Sequence, residues 1–320
     1  MTVKGYLQLM RPHQWYKNVL IFLAIIFVEI PKDWPWEKLP AILNINNYPP
    51  LIVGFAVFCA VSSAGYIVND IADIEEDAAH PEKMNRPLPS GTVSKRNARI
   101  LAVILLISGL FVALITNGLF FLLVIVYLIN SQLYNYALRK RAIIDVVDIA
   151  VGFIIRAIAG TVLISVAFTS WLVVGVFFLA LILGFGKRKN ELQLLGEEAA
   201  LHKQVFNQYT DSMLDHAITM SATWFVMFYA LYTYENFREV MVYQPVMMTV
   251  PIVAGLVLRY VYLIQIGSPV GRKPHLAFKD KGMMVGGILF LITLVVSLFF
   301  WKGIFTYLQD LFTPLFPQFP

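Results

Sequence analysis

The chain has 320 residues, of which 58% are hydrophobic and only 14% charged, a composition that excludes an ordinary soluble protein and indicates an integral membrane protein. Its 25 Lys and Arg against 20 Asp and Glu leave a formal charge of +5, which loop charge accounts for with no nucleic acid partner. The single cysteine, Cys59, lies in an apolar run and excludes an intrachain disulfide.

Apolar runs long enough, or nearly so, to cross a bilayer lie near residues 15–30, 51–68, 99–117, 119–137, 143–165, 169–186, 213–235, 244–266 and 283–301. The first follows Lys4, Arg11 and Lys17 and ends at Pro31, Lys32 and Asp33. With no small-residue cleavage site there, it reads as a span and not as a signal peptide. Nine spans put the termini on opposite sides. Nineteen of the 25 basic residues then share a side with the N-terminus, four (Lys32, Lys38, Arg238 and Lys302) lie opposite, and Arg156 and Arg259 fall within spans. The positive-inside rule therefore predicts a multi-pass protein of the cell (cytoplasmic) membrane with a cytoplasmic N-terminus and the C-terminus on the opposite side.

The long polar connections, residues 69–98, 138–142, 187–212 and 267–282, all fall on the predicted cytoplasmic side, where the chemistry is expected. The connections opposite, such as 116–118 and 166–169, read as plain turns. Residues 187–212, rich in Lys, Glu, Gln and Leu, read as an amphipathic interfacial helix. No repeat of 20–50 residues is evident, and one helical domain over 1–320 is enough.

The most informative stretch is NDIADIEEDAAHPEKMNR at residues 69–86. On a helix Asn69 and Asp73 are four apart, Asp70 and Asp73 three apart, and Asp73 and Asp77 four apart, so all four share one face, with Glu75 and Glu76 largely turned away. Carboxylates so concentrated repel unless cations offset them. Hard oxygen ligands suit Mg²⁺, which keeps waters and bridges to substrate phosphates, so a diphosphate substrate is implied. His80, Lys83 and Arg86 follow, as phosphate oxygens not covered by metal require. The competing reading is a solvated acidic loop.

A second polar group opens the fifth span. Asp145, Asp148, Gly152 and Arg156 return to one helical face, with Arg156 roughly 16 Å from Asp145 at about 1.5 Å per residue. A buried arginine in a span lines a cavity, binds an anion or pairs structurally. Asp145 and Asp148 read either as functional or as favourable charges at a helix N-terminus. Lys187, Arg188 and Lys189 form a basic group ending the sixth span, with ordinary topology-setting charge as the alternative. Arg259, beside Tyr260 and Tyr262, reads as a packed polar pair or a cavity wall.

With these residues in view, the chain resembles the UbiA superfamily of intramembrane prenyltransferases, whose aspartate-rich motifs flank a Mg²⁺–diphosphate site. Within it the chain is most similar to the branch of polyprenyl-phosphate phosphoribosyltransferases. The resemblance is carried by NDIADIEED and by RPHQWYKN at 11–18, HPEKMNRP at 80–87, DVVDIAVGFIIRAIAG at 145–160, GKRKNEL at 186–192 and TVPIVAGLVLRYVYL at 249–263. The chain departs from the usual second motif, DxxxD, because Asp145 is followed at four by Ile149 and at three by Asp148.

The resemblance implies an all-α membrane protein, a nine-transmembrane-helix UbiA-like bundle with a cytoplasm-facing polar cavity and a lateral opening for a lipid tail. It implies transfer of 5-phosphoribose from phosphoribosyl diphosphate to a polyprenyl phosphate lipid, with release of diphosphate and inversion at the anomeric carbon. Asn69, Asp70, Asp73 and Asp77 are then expected to hold Mg²⁺, with Asp73, Asp77 and Asp145 as the catalytic carboxylates. Lys83, Arg86, Lys187 and Arg188 are candidates for the donor phosphates, and Arg11, Lys17 and Arg156 for the 5-phosphate or the lipid phosphate. His80, Asp148 and Arg259 complete the expected substrate-binding set. The oligomeric state, a homo-oligomer included, is left open. Two other readings are a prenyltransferase moving an isoprenoid from its diphosphate to an aromatic or small acceptor, and a transporter using Asp145, Arg156 and Arg259 as intramembrane charges.

Overall fold

The computed structural model describes residues 3–26, 44–79, 84–167, 169–196, 204–237 and 244–312. Among the described residues all regular structure is helical: α1 (Val3–Met10), a 3-10 helix (Pro12–Phe22), α2 (Leu23–Ile26), α3 (Tyr48–Ala72), α4 (Ile74–Ala79), α5 (Lys95–Thr116), α6 (Gly118–Tyr136), α7 (Ile144–Leu163), α8 (Ser170–Leu195), α9 (Asp211–Phe237), α10 (Thr249–Gln265) and α11 (Lys281–Val295). A π-helical turn, Val296–Phe300, joins α11 to α12 (Trp301–Phe312).

Among the described residues six helices are long and apolar enough to cross a membrane: Ile45–Ala72, Lys95–Thr116, Gly118–Tyr136, Ile144–Leu163, Pro245–Gln265 and Lys281–Phe300. They coincide with the second to fifth, eighth and ninth expected spans. The sixth and seventh expected spans fall on α8 and α9, of 26 and 27 residues. The first is described only to Ile26, as the 3-10 helix and α2, and its remainder lies outside the described residues.

One expectation is corrected. Residues 187–195 do not begin a separate interfacial helix but prolong α8, because Glu191 draws in Arg188 at 3.0 Å and Lys187 at 3.8 Å one turn back and no breaker intervenes before Gly196. Gly196, at φ 53°, follows the end of α8, a left-handed conformation that glycine adopts without strain. At about 1.5 Å per residue, 26 residues give roughly 39 Å, longer than the roughly 30 Å of a hydrocarbon core.

The described residues pack as two compact units that divide within α8, between Ala180 and Leu181. The first is centred on Phe58 of α3, which meets Phe120 and Tyr127 of α6 edge-on at centroid distances of 6.0 and 5.3 Å. Its sharpest turn is a single residue. Asn117, extended at φ −165°, ends α5 and caps α6, its Oδ1 accepting from the Leu119 and Phe120 N–H groups at 2.8 and 3.0 Å. On α7, Gly160 admits the backbone of the first segment so closely that a Cβ there would lie 2.0 Å from the Ile21 carbonyl oxygen. Gly175 on α8, by contrast, faces open space.

In the second unit Gly186 packs against Ile264 and Gly286 against Leu256, so glycines let α8 and α11 each approach α10. Asp280 caps α11 by accepting from the Met283 N–H at 2.9 Å, and Arg259 of α10 forks onto the same carboxylate, Nε to Oδ1 at 3.1 Å and Nη2 to Oδ2 at 2.8 Å. The Arg259 hydrogen bond, and then that of Met283, hold the Asp280 carboxyl down to about 2.

Two stability measurements check this packing. Gly160→Ala should destabilise the detergent-solubilised protein by about 1–3 kcal/mol, whereas Gly175→Ala should be neutral or gain up to about 1 kcal/mol from helix propensity. Thermal unfolding of the two variants reads both signs. A carboxyl held below its ordinary 3.8 stabilises the fold above that value and loses the effect as pH falls toward about 2. The melting-temperature deficit of Asp280→Ala should thus be constant from pH 8 to about pH 5 and narrow below pH 4.

Candidate functional site

The first motif closes α3. Helix runs to Ala72, Asp73 leaves helical dihedrals at φ −95° and ψ 13°, and α4 restarts at Ile74. The uninterrupted helix expected from the spacing is therefore broken at Asp73, but its hydrogen bonding runs through the break. The Asp73 N–H donates to the Asn69 carbonyl at 2.9 Å and the Asp77 N–H to the Asp73 carbonyl at 2.8 Å. The four-residue steps that stack Asn69, Asp73 and Asp77 thus survive.

Asp70 and Asp77 are buried, 6% and 1% exposed, and two arginines offset them. Arg11 donates from Nη2 to Asp70 Oδ1. Arg86 Nη1 donates to Asp77 Oδ2 at 2.6 Å and lies 3.5 Å from Asp70 Oδ1, so one nitrogen joins both carboxylates. Arg11 reaches Asp70 from a left-handed backbone, φ 51° and ψ 58°, with its guanidinium 5.4 Å from the Tyr66 ring centre. A non-glycine residue there is uncommon and costs energy that the surrounding structure must supply. Arg86 stands in a loop braced by Ser90 N–H to Arg86 O at 3.0 Å and Val93 N–H to Pro87 O at 2.9 Å. Asn69 Oδ1 accepts from Asn135 Nδ2 of α6 at 2.9 Å. The half-buried Asp73 carboxylate makes no hydrogen bond or ion pair among the described residues.

The second motif opens α7 behind a strained turn. Ile143 sits at φ 68° and ψ −52°, and the Ile144 N–H donates to the Ala142 carbonyl at 2.8 Å, which makes a γ-turn with a β-branched residue at its centre. Asp145, two residues on, is wholly buried. Asp148 is also buried and takes long hydrogen bonds from Asn130 Nδ2 of α6, at 3.3 Å to its carbonyl and 3.4 Å to Oδ2. Helix α6 therefore connects the motifs: Asn135 touches the first and Asn130 the second, about 7.5 Å apart along the axis at about 1.5 Å per residue.

The remaining expected residues separate. Lys17 is half-buried in the 3-10 helix, and Arg156 is enclosed among Asn18, Gly152 and Tyr127. In the second unit Lys187 is exposed, Arg188 is buried against Glu191, and Arg259 is paired with Asp280. His80 and Lys83 lie outside the described residues. Sequence reasoning missed Asn18, Asn130, Asn135 and Tyr127 as partners. The signal was present for the two amides of α6, which lie in the short polar stretch NSQLYN that closes an apolar span.

Among the described residues no three His, Cys, Asp or Glu side chains gather into a ready cage for a metal. Mg²⁺ does not need one, since one or two carboxylates plus waters and substrate phosphates ordinarily hold it. Asp73, with no competing partner among the described residues, and the amide-held Asn69 Oδ1 are hard donors of the right kind, with Asp70 and Asp77 on the same helix turns. The donor set fits such a cation.

The pattern of the UbiA prenyltransferase family matches residues 41–278. A decaprenyl-phosphate phosphoribosyltransferase of Mycolicibacterium smegmatis is 29% identical over 308 residues, which cover 93% of either chain. One of Mycobacterium tuberculosis is 31% identical over 234 residues, 73% of this chain and 75% of its own. A UbiA homolog from Archaeoglobus fulgidus, solved bound to DMAPP and Mg²⁺, shares the fold with a TM-score of 0.65 over 92% of this chain and 97% of its own, at 17% identity. The chain belongs to the UbiA prenyltransferase family.

Proposed function

We propose that this protein transfers 5-phosphoribose from phosphoribosyl diphosphate to a polyprenyl phosphate, in a Mg²⁺-dependent reaction that releases diphosphate and inverts the anomeric carbon. The observation that carries the reading is the joining of oxygen donors and guanidinium groups at one end of α3. Asp70 and Asp77 lie on Arg11 and Arg86, and Asp73 stands beside them without a partner among the described residues. A donor bearing a diphosphate asks for that combination. The relatives from Mycolicibacterium and Mycobacterium, named for this activity, support the choice of donor and acceptor.

In this reading Asn69, Asp70, Asp73 and Asp77 hold the metal, directly or through water, with Asp145 completing the site. Bound Mg²⁺ would neutralise charge on the leaving diphosphate. Arg11 and Arg86, with Lys83 and His80, bind donor phosphate oxygens. Lys17 serves the 5-phosphate or the lipid phosphate, and Asp148 lines the ribose side. The bond from the anomeric carbon to the diphosphate oxygen breaks, its electron pair leaving with diphosphate, as a lipid phosphate oxygen bonds from the opposite face. The carboxylates Asp73, Asp77 and Asp145 stabilise positive charge on the ribose in passing. The lipid phosphate is already anionic near neutral pH, so no general base is assigned. We read residues 1–320 as one domain of nine spans in the cell membrane, with a cytoplasmic N-terminus, the C-terminus opposite and the polar site facing the cytoplasm.

Purified protein given Mg²⁺, labelled phosphoribosyl diphosphate and a polyprenyl phosphate should carry label into the organic phase. A chelator should abolish this, and Asp73→Ala should lower the rate by about a hundredfold or more. No transfer by folded protein across several lipid lengths would turn the search to isoprenoid diphosphate donors. Asn135→Leu should leave the fold intact but raise the Mg²⁺ concentration for half-maximal rate by about tenfold, through the lost support of Asn69. An unchanged Mg²⁺ dependence would remove Asn69 from the metal site.

A further inference from the structure

Arg156 lies midway along α7, 4% exposed, and among the described residues no carboxylate lies within 4 Å of its guanidinium. A buried cation in an apolar helix needs compensation, and here dipoles and ring faces provide it. Nε donates to Asn18 Oδ1, Nη1 to the Gly152 carbonyl and Nη2 to Tyr127 Oη, each at 2.8 Å. The rings of Tyr127, Phe153 and Phe58 surround the guanidinium with centres 4.4, 5.8 and 5.9 Å away. A phosphate would have to displace these partners to be bound.

Asn18, 1% exposed, passes the contact on, its Nδ2 donating to Cys59 Sγ of α3 at 3.3 Å. One turn beyond Arg156, Gly160 receives the Ile21 carbonyl, so the end of the 3-10 helix is seated on α7 at two successive turns. The head of the same helix is fixed to α3. Trp15 Nε1 donates to Ser63 Oγ at 3.1 Å, Ser63 Oγ to the Met10 carbonyl at 2.8 Å, and Arg11 to Asp70. Asn18 and Arg11 are about 14 Å apart along a 3-10 helix rising about 2.0 Å per residue.

We infer that Arg156 is a positioning residue: it clamps Asn18, and through it the 3-10 helix Pro12–Phe22, onto α3 and α7, and so holds Arg11 in its left-handed conformation on Asp70. The clamp acts at a distance from the reacting atoms and determines where the Arg11 guanidinium stands. Its kinetic consequence rests on the phosphoribosyl-transfer reading, whereas the clamp geometry does not.

The test uses full-length protein and two readouts. Cys59 is the chain's single cysteine, so alkylation by N-ethylmaleimide reports how firmly Asn18 covers it. Asn18→Leu and Arg156→Met should each speed this labelling and raise KM for phosphoribosyl diphosphate by about tenfold, with kcat and KM for the polyprenyl phosphate within about twofold of wild type. Asn18→Asp keeps the acceptor for Arg156 but removes the Nδ2 donor to Cys59, so it should hold KM for phosphoribosyl diphosphate within about twofold of wild type whatever its cysteine labelling. The double variant Asn18→Leu with Arg156→Met should be no worse than either single one. If Asn18→Leu matches wild type while Arg156→Met loses transfer, or if both substrates' KM values rise together, the inference is overturned. If Arg156→Met does not fold, the comparison of Asn18→Leu with Asn18→Asp decides alone. Wild type that transfers no label would overturn the functional reading, and the cysteine labelling would still judge the clamp.

Discussion

A charge carried into an apolar helical bundle has to be answered from inside the protein, because a hydrocarbon surround offers neither counter-ion nor hydrogen bond. The first unit meets this constraint in two ways. Asp70 and Asp77 are answered by side-chain ions of opposite sign, the guanidinium groups of Arg11 and Arg86. Arg156 is answered by fixed dipoles and ring faces, and Asp148 by a side-chain amide. The distinction matters chemically. Guanidinium groups held by carboxylates can turn to phosphate oxygens of similar charge and geometry, whereas a cation enclosed by carbonyl, amide and aromatic groups stays where the fold puts it.

That division locates reactivity and rigidity on the same scaffold. The exchangeable ions sit where α3 breaks at Asp73, on backbone whose helical bonds persist from Asn69 to Asp77. Two strained conformations lie at the same motifs, Arg11 at φ 51° and Ile143 at φ 68°. Neither is at glycine, so surrounding contacts must hold both. At Arg11 the contacts are visible: Ser63 and Asp70 on one side and the clamped 3-10 helix on the other. At Ile143 the γ-turn fixes the direction in which α7 starts, and hence the approach of Asp145.

Helical periodicity made part of this legible before any coordinates. Asn69, Asp70, Asp73 and Asp77 are recognisable because steps of three and four residues are local properties of a helix, and the tight turn at 116–118, which the structure narrows to Asn117, follows from a short polar break between two apolar runs. The partners of those residues were not legible. Asn135 is 66 residues from Asn69, and Asn18 is 138 from Arg156, separations over which no pattern in one sequence reports proximity. The break at Asp73 was hidden for a different reason, since no glycine or proline marks it. The separate interfacial helix expected at 187–212 does not begin at 187, because ion pairs one turn apart stabilise the extension of α8 through residue 195 as well as they would a new helix, and residues 197–203 lie outside the described residues.

The GKRKNEL segment illustrates why adjacency in sequence misleads about charge. Read as a string, Lys187, Arg188 and Lys189 form one basic patch. On a helix successive residues turn by about 100°, so Lys187 and Lys189 point about 200° apart. Lys187 is exposed, while Lys189 is 2% exposed and donates to Asp215 of α9 and, at 2.8 Å, to Gln265 of α10. Asn190, beside it, donates to the Ile264 carbonyl at 2.9 Å. Half of the motif therefore ties α8 to its neighbours within the second unit, Arg188 is buried against Glu191, and only Lys187 stands exposed. A basic cluster inside a helix is thus better counted by face than by length, and by that count this motif exposes one cation and not three.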